Sequence, residues 1–264
     1  MNSVSANNQT EKPWHLEFGA RPLPSGGVQF RVWSPLAKQI EVVIKTPREI
    51  RQPMHLDNTG EGNFSAIVRD IGAGATYTYS INGKEPRPDP VSRSQPDGVH
   101  RASCIIDPDA FKWSDSDWRG IALEDYVIYE LHTGTFTPTG TFDSAIDKLG
   151  YLREVGITAV ELMPVAQFPG HRNWGYDGVY PYAVQSTYGG VEGLKRLVDA
   201  CHRTGLAVIM DVVYNHLGPE GNYLPEFMPC FSGNYKSPWG EALNYDGPYS
   251  YGVRRYMIDN ALYW

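Results

Sequence analysis

Leu206-Ala207-Val208-Ile209-Met210-Asp211-Val212-Val213-Tyr214-Asn215-His216 starts as an unbroken apolar run and ends with an Asp, an Asn and a His within six positions. An apolar run of this kind predicts a strand covered on both faces. Upstream, Leu194, Leu197, Val198 and Cys201 recur at three- and four-residue steps, which predicts an amphipathic helix over 191–203 closed by Gly205. The run at 157–163 predicts a second strand. Ala145, Ile146, Leu149, Leu152 and Val155 predict a helix over 142–155 with Gly156 at its end, and 126–131 predicts the first strand. Strand, helix, strand, helix, strand requires a parallel sheet with right-handed crossovers.

Two architectures compete for that pattern. A doubly wound dinucleotide-binding sheet needs a Gly-rich phosphate turn straight after its first strand, and His132-Thr133-Gly134-Thr135-Phe136-Thr137-Pro138 is not one. A (β/α)8 barrel gathers its chemistry at the C-terminal strand ends. Polar residues stand at those ends: Glu130 and His132, then Glu161, then Asp211, Asn215 and His216. The barrel is the better reading. A complete barrel takes about 250 residues, whereas 126–264 supplies 139. A further helix is predicted at the end, with Val253, Tyr256, Met257, Asn260, Ala261 and Trp264 on one face. The sequence therefore reads as an N-terminal portion of a longer protein, carrying an incomplete barrel.

Ahead of the barrel the period changes to two. Val28-Gln29-Phe30-Arg31-Val32-Trp33, Ile40-Glu41-Val42-Val43-Ile44, Phe64-Ser65-Ala66-Ile67-Val68 and Tyr77-Thr78-Tyr79-Ser80-Ile81 predict strands, the last closing on the hairpin pair Asn82-Gly83. Short strands at this spacing predict a β-sandwich over 13–108, with 1–12 a disordered tail and 109–125 a connector. The sandwich is expected to fold independently. Residues 126–264 are expected to pack loosely, with apolar strand faces left uncovered.

Composition narrows the function. The 264 residues carry a formal net charge of −7, with 41% hydrophobic and 20% charged side chains. An acidic balance argues against nucleic acid, and no run is long enough to cross a bilayer. The polar start is not a secretory signal. Cys104, Cys201 and Cys230 are an odd number without metal-ligand spacing, as expected for free thiols in the cytoplasm. No metal site, cofactor or Gly-x-Ser-x-Gly nucleophile is expected.

Asp211, Asn215 and His216 are the strongest candidates for chemistry, since they leave a buried strand at the rim where barrels work. Asn173-Trp174-Gly175-Tyr176-Asp177-Gly178 is the second candidate. Its glycines let the backbone bend and present Tyr176 and Asp177 outward, a ring face and a carboxylate suited to a pyranose. Glu161 and His132 read as strand-end structure as readily as function, and His171 and Glu220 as solvated loop residues.

Taken together, Asp211-Val212-Val213-Tyr214-Asn215-His216, the Trp174–Asp177 loop and Glu161-Leu162-Met163-Pro164 resemble the α-amylase superfamily of glycoside hydrolases and transglycosylases. Within it the chain is most similar to the malto-oligosyltrehalose trehalohydrolases. The residues that narrow it are Pro88-Asp89-Pro90, Gln95-Pro96-Asp97-Gly98-Val99-His100, Tyr129 to Pro138, and Gly218-Pro219-Glu220-Gly221-Asn222-Tyr223. The resemblance implies an immunoglobulin-like, glucan-binding sandwich before the barrel. It implies retaining hydrolysis of maltooligosyltrehalose, or action on another α-1,4-glucan. Tyr176 would stack on the sugar, Asp177 would bind its hydroxyls, and His216 would bond the sugar as charge develops. Asp211 would anchor the strand end, with Asn215 supporting the turn. The nucleophilic Asp and acid/base Glu of a retaining pair belong to the fourth and fifth strands, so no catalytic residue is expected in this chain, which would be inactive without the missing C-terminal part.

Two alternatives remain. Branching enzymes carry Gln and Trp where this chain has Asp177 and Val212, and debranching enzymes fit the N-terminal motifs less well. A non-catalytic glucan-binding protein would use the sandwich as its surface, with Trp33, Trp113 and Trp118 as candidate aromatics.

Overall fold

The structure is a computed structural model that describes residues 14–264; the expected 1–12 tail lies outside the described residues. Eight strands come first: β1 (Gly19–Pro22), β2 (Val28–Trp33), β3 (Ile40–Lys45), β4 (Met54–His55), β5 (Asp57–Gly60), β6 (Asn63–Val68), β7 (Thr76–Ile81) and β8 (Ser103–Cys104). They form two four-stranded antiparallel sheets, ordered β1-β2-β6-β5 and β4-β3-β7-β8. The period-two pattern explains the facing. Val28, Phe30 and Val32 point inward from one sheet and meet Ile40, Val42, Ile44, Tyr77 and Tyr79 from the other. Asn82 and Gly83 both take positive φ, 53° and 73°, the backbone of a tight hairpin turn.

The second half is built on three parallel strands, β9 (Ile128–Leu131), β10 (Ala159–Leu162) and, further on, β13 (Ala207–Met210), with β10 in the centre. Between them lie α1 (Thr133–Phe136), α2 (Phe142–Ile146), α3 (Leu149–Glu154), the short antiparallel pair β11 (Ala166–Gln167) and β12 (Tyr180–Val184), and α4 (Gly190–Thr204). Gly205 closes α4 in the left-handed region, as its position predicts. The helix expected over 142–155 is two helices. Its apolar spacing runs on, but the chain turns at Asp147–Lys148, where the Lys148 amide bonds Ala145 three residues back.

α5 (Leu224–Phe227), the hairpin β14 (Phe231–Ser237) with β15 (Gly240–Leu243), and α6 (Ser250–Tyr263) complete the described chain. Val253, Tyr256, Met257 and Asn260 of α6 are buried as its periodicity predicts, whereas Ala261 is exposed and Asp259 is buried in its place, paired with Arg255 at 2.7 Å. α6 is wedged between the two halves. A Cβ on Gly252 would sit 2.2 Å from the Trp33 ring, Tyr256 donates to the Pro90 carbonyl at 2.8 Å, and Asn260 donates to the Pro181 carbonyl at 3.0 Å.

Two packing expectations change. Phe227 is 2% exposed inside the sandwich core, edge-on to Tyr79, and its carbonyl accepts the Ser34 hydroxyl at 2.6 Å. The sandwich core therefore takes one side chain from the second half, and 13–108 alone would leave that place in its core open. In that second half, Phe142, Leu149, Leu152, Val160, Leu162, Leu197, Cys201 and Leu206 form a dense core between sheet and helices. Apolar side chains are left exposed on edge strand β9 and its approach, at Val127, Ile128 and Tyr129, and outside the sheet at Trp174, Val212, Trp239, Ile258 and Leu262; Val155, expected on the inward face of its helix, is exposed as well. Cys201 and Cys230 are buried free thiols, with Cys104 half-buried. No helix among the described residues is long and apolar enough to cross a membrane.

Candidate functional site

The strand register sets the rim. Glu130, Glu161 and Ile209 form one row across β9, β10 and β13. One step beyond the last row, the Asp211 amide bonds the Leu162 carbonyl at 3.0 Å and Met163 bonds Leu131 at 3.0 Å. The strands thus end together, so the loops after them converge.

Those loops are stacked backbone against backbone, which needs glycine. Gly175 has φ +100°, and a Cβ there would lie 2.0 Å from the Pro164 carbonyl oxygen. Gly218 is equally tight: a Cβ would fall 2.2 Å from the Asp177 carbonyl oxygen, and its amide bonds the Gly178 carbonyl at 3.1 Å. The loop after β10 is therefore held between the end of its own strand and the loop that follows β13.

Tyr176, Asp177 and Asp211 lie along this seam, and Asn215 and His216 lie in the same loop as Gly218. The Tyr176 hydroxyl donates to Asp211 Oδ2 at 3.0 Å. Burial pushes the phenol's pKa up, and Asp211, Glu130 and Glu161 push it further, so the hydroxyl stays a donor. Asp177 is exposed, and its Oδ2 accepts from Asn173 Nδ2 at 2.7 Å. His216 is half-exposed and its Nδ1 donates to Asn215 Oδ1 at 3.0 Å. Tyr176 and Asp211 are thus joined directly. Asp177 and His216 are linked through Gly218, two residues beyond His216. Among the described residues, no group of three or more His, Cys, Asp or Glu side chains is placed to hold a metal ion.

Three residues take roles that the sequence reading does not assign them. Asn173 Oδ1 accepts the Gly175 amide at 2.7 Å, an Asx turn that the Asn-x-Gly spacing signals. His132 Nε2 lies 2.7 Å from the Asn173 carbonyl, so that nitrogen carries the proton; Nδ1 meets the Thr135 hydroxyl at 2.9 Å and Tyr188 OH stands 2.9 Å from Nε2. His132 is a tie between β9 and the Asn173 turn. Trp239, at the hairpin tip and 69% exposed, lies 6.4 Å from the His216 ring, and nothing in its local sequence signals that proximity. Glu220 is not merely solvated: it pairs with His100 Nε2 at 3.5 Å. Of the three proposed sandwich-surface tryptophans, Trp33 is buried and Trp118 stacks on His202 at 4.6 Å, which leaves only Trp113 exposed.

The architecture and rim have counterparts among known proteins. Residues 17–108 match carbohydrate-binding module 48, the isoamylase N-terminal domain, and residues 105–235 match the α-amylase catalytic domain. A solved structure of a putative α-amylase from Salmonella typhimurium superposes with a TM-score of 0.89 at 40% identity, over 95% of this chain and 42% of that one. The chain belongs to the α-amylase family of glycoside hydrolases. Its curated relatives include the malto-oligosyltrehalose trehalohydrolases of Saccharolobus solfataricus, 47% identical over 94% of this chain, and of Arthrobacter ramosus, 50% identical over 89%. The chain spans 43% and 41% of those relatives' lengths.

Proposed function

We propose that this chain is the substrate-binding front portion of a retaining glycoside hydrolase that releases trehalose from maltooligosyltrehalose. We divide it into a sandwich at 13–108, a connector at 109–125 and the opening strands of the catalytic barrel from 126, and place it in the cytoplasm. The observation that carries the reading is the Tyr176–Asp211 bond, which swings the loop after β10 over the end of β13. There the Tyr176 ring supplies a flat face for a pyranose and Asp177 supplies acceptors for its hydroxyls. His216, whose Nδ1 proton is committed to Asn215, supplies Nε2 as an acceptor for a sugar hydroxyl at the same rim, which favours the transition state as positive charge develops on the sugar. Asp211 orients Tyr176, and Asn215 orients His216.

The nucleophile and acid/base of a retaining pair are assigned by this reading to strands four and five, so the 264 residues alone bind sugar without cleaving it. Calorimetric titration with maltotetraosyltrehalose should give binding that Asp177→Ala weakens about tenfold, one lost charge-assisted contact. No trehalose should appear. Trehalose release by the purified chain overturns the inactive-half reading, and absence of binding overturns the sugar site.

A further inference from the structure

Gln95-Pro96-Asp97-Gly98-Val99-His100 and Gly218-Pro219-Glu220-Gly221-Asn222-Tyr223, two stretches that narrow the resemblance, face each other in the structure although over a hundred residues separate them. His100 Nδ1 lies 2.8 Å from the Tyr223 hydroxyl, and His100 Nε2 lies 3.5 Å from Glu220. The Arg87 guanidinium covers the Tyr223 ring at 4.5 Å and its Nε donates to Glu226 at 2.8 Å. Gly221 packs so tightly on Val99 that a Cβ would fall 2.4 Å from Val99 Cγ2. The buried Tyr180 hydroxyl sits 2.9 Å from the Val99 carbonyl and 3.3 Å from the Gly221 carbonyl.

From these contacts we infer that the two stretches form a brace that holds Asp177 in place, with His100 and Tyr223 as positioning residues; the inference rests on the sugar-binding reading of Asp177. The route is short. Asp177, Gly178, Val179 and Tyr180 are consecutive. Gly218 grips the first two, and the Tyr180 hydroxyl ties the last to Val99 and Gly221. The loop carrying both grips is anchored to the sandwich through Tyr223, Glu220 and Glu226. The sandwich therefore acts on the sugar site by fixing the backbone beneath its carboxylate, whether or not it also binds glucan on its own surface.

The test uses the whole chain with His100→Ala, His100→Gln and Tyr223→Phe, all on half-exposed or exposed positions. Amide hydrogen exchange is read first, without ligand. Exchange at Val179 and Gly218 should accelerate about tenfold in His100→Ala and Tyr223→Phe, as expected for local loosening, with the melting midpoint kept and the rate restored in His100→Gln. Maltotetraose titration is read second. His100→Ala should weaken binding about fivefold in the unaltered chain and not in an Asp177→Ala background, the non-additivity that marks a shared path. Unchanged exchange overturns the brace, and so does an equal affinity loss with and without Asp177. If the unaltered chain fails to bind maltotetraose, the sugar-site reading falls, and the exchange rates alone decide whether the brace holds this backbone.

Discussion

Gly218 meets the carbonyl of Asp177 at a distance that leaves no room for a side chain: the missing Cβ would stand 2.2 Å from the oxygen. Gly218→Ala must therefore push two site loops apart. Overpacking of this kind costs about 1–3 kcal/mol. We expect a lowered melting midpoint together with at least a several-fold loss of maltotetraose affinity. Retained affinity in the variant would mean that the two loops move independently.

Tyr176 should ionise later than an ordinary tyrosine. Burial is the first cause, followed by the bond to Asp211 and the negative charges of Asp211, Glu130 and Glu161. Asp211→Asn removes one charge and the charged acceptor, so the Tyr176 pKa should fall part of the way back toward the ordinary tyrosine value of 10, while the burial contribution stays. Following the Tyr176 ring carbon by NMR from pH 8 to 12 reads this directly. An unmoved titration would place Asp211 outside the phenol's environment.

Truncating Phe227 should weaken the sandwich although it lies well beyond that half in sequence. Phe→Ala in a core costs about 3–5 kcal/mol, and the Tyr79 edge contact goes with it. Sandwich signals such as the Tyr77 and Tyr79 amides should lose exchange protection by the largest factor. If protection drops only around β13, Phe227 belongs energetically to the second half.

Asp89 links stability to pH. It is fully buried and accepts the Tyr77 hydroxyl at 2.6 Å and the Val91 amide at 2.7 Å. Burial raises its pKa from 3.8 to about 6 despite those bonds and the nearby Arg93. The native state thus holds this proton more tightly than the unfolded chain. Its stabilising contribution is complete below about pH 4 and is lost as pH rises through 6, a change of about 3 kcal/mol. Urea melts at pH 4.5 and 7 should show a loss that Asp89→Asn flattens. A loss of equal size in the variant would assign the pH dependence to other groups.

Periodicity carried most of the fold. Val28 to Val32 alternates, and one face is buried; Leu194, Leu197 and Cys201 recur along α4, and they face the core. It failed where the backbone turned without a change of pattern, at Asp147–Lys148 between α2 and α3. The candidate residues at the rim were legible because polar groups ending a buried strand are conspicuous. Their partners were not. Asn173 acts through its own turn, His132 through a carbonyl 41 residues away, and Gly218 through the Asp177 carbonyl. Such contacts depend on three-dimensional closure. Phe227 was invisible for the same reason, since a lone aromatic in a short helix carries no period that points to another core.

The place of Phe227 has a consequence during synthesis. The sandwich strands are all made by residue 104, but the side chain that completes their core follows some 120 residues later. At about 5–20 residues per second, the nascent sandwich waits roughly 6–24 s with an open apolar socket. The nascent chain thus carries, while still attached to the ribosome, a sandwich core with one side chain yet to come, and the segment that supplies it is the one that also carries the rim of the candidate site.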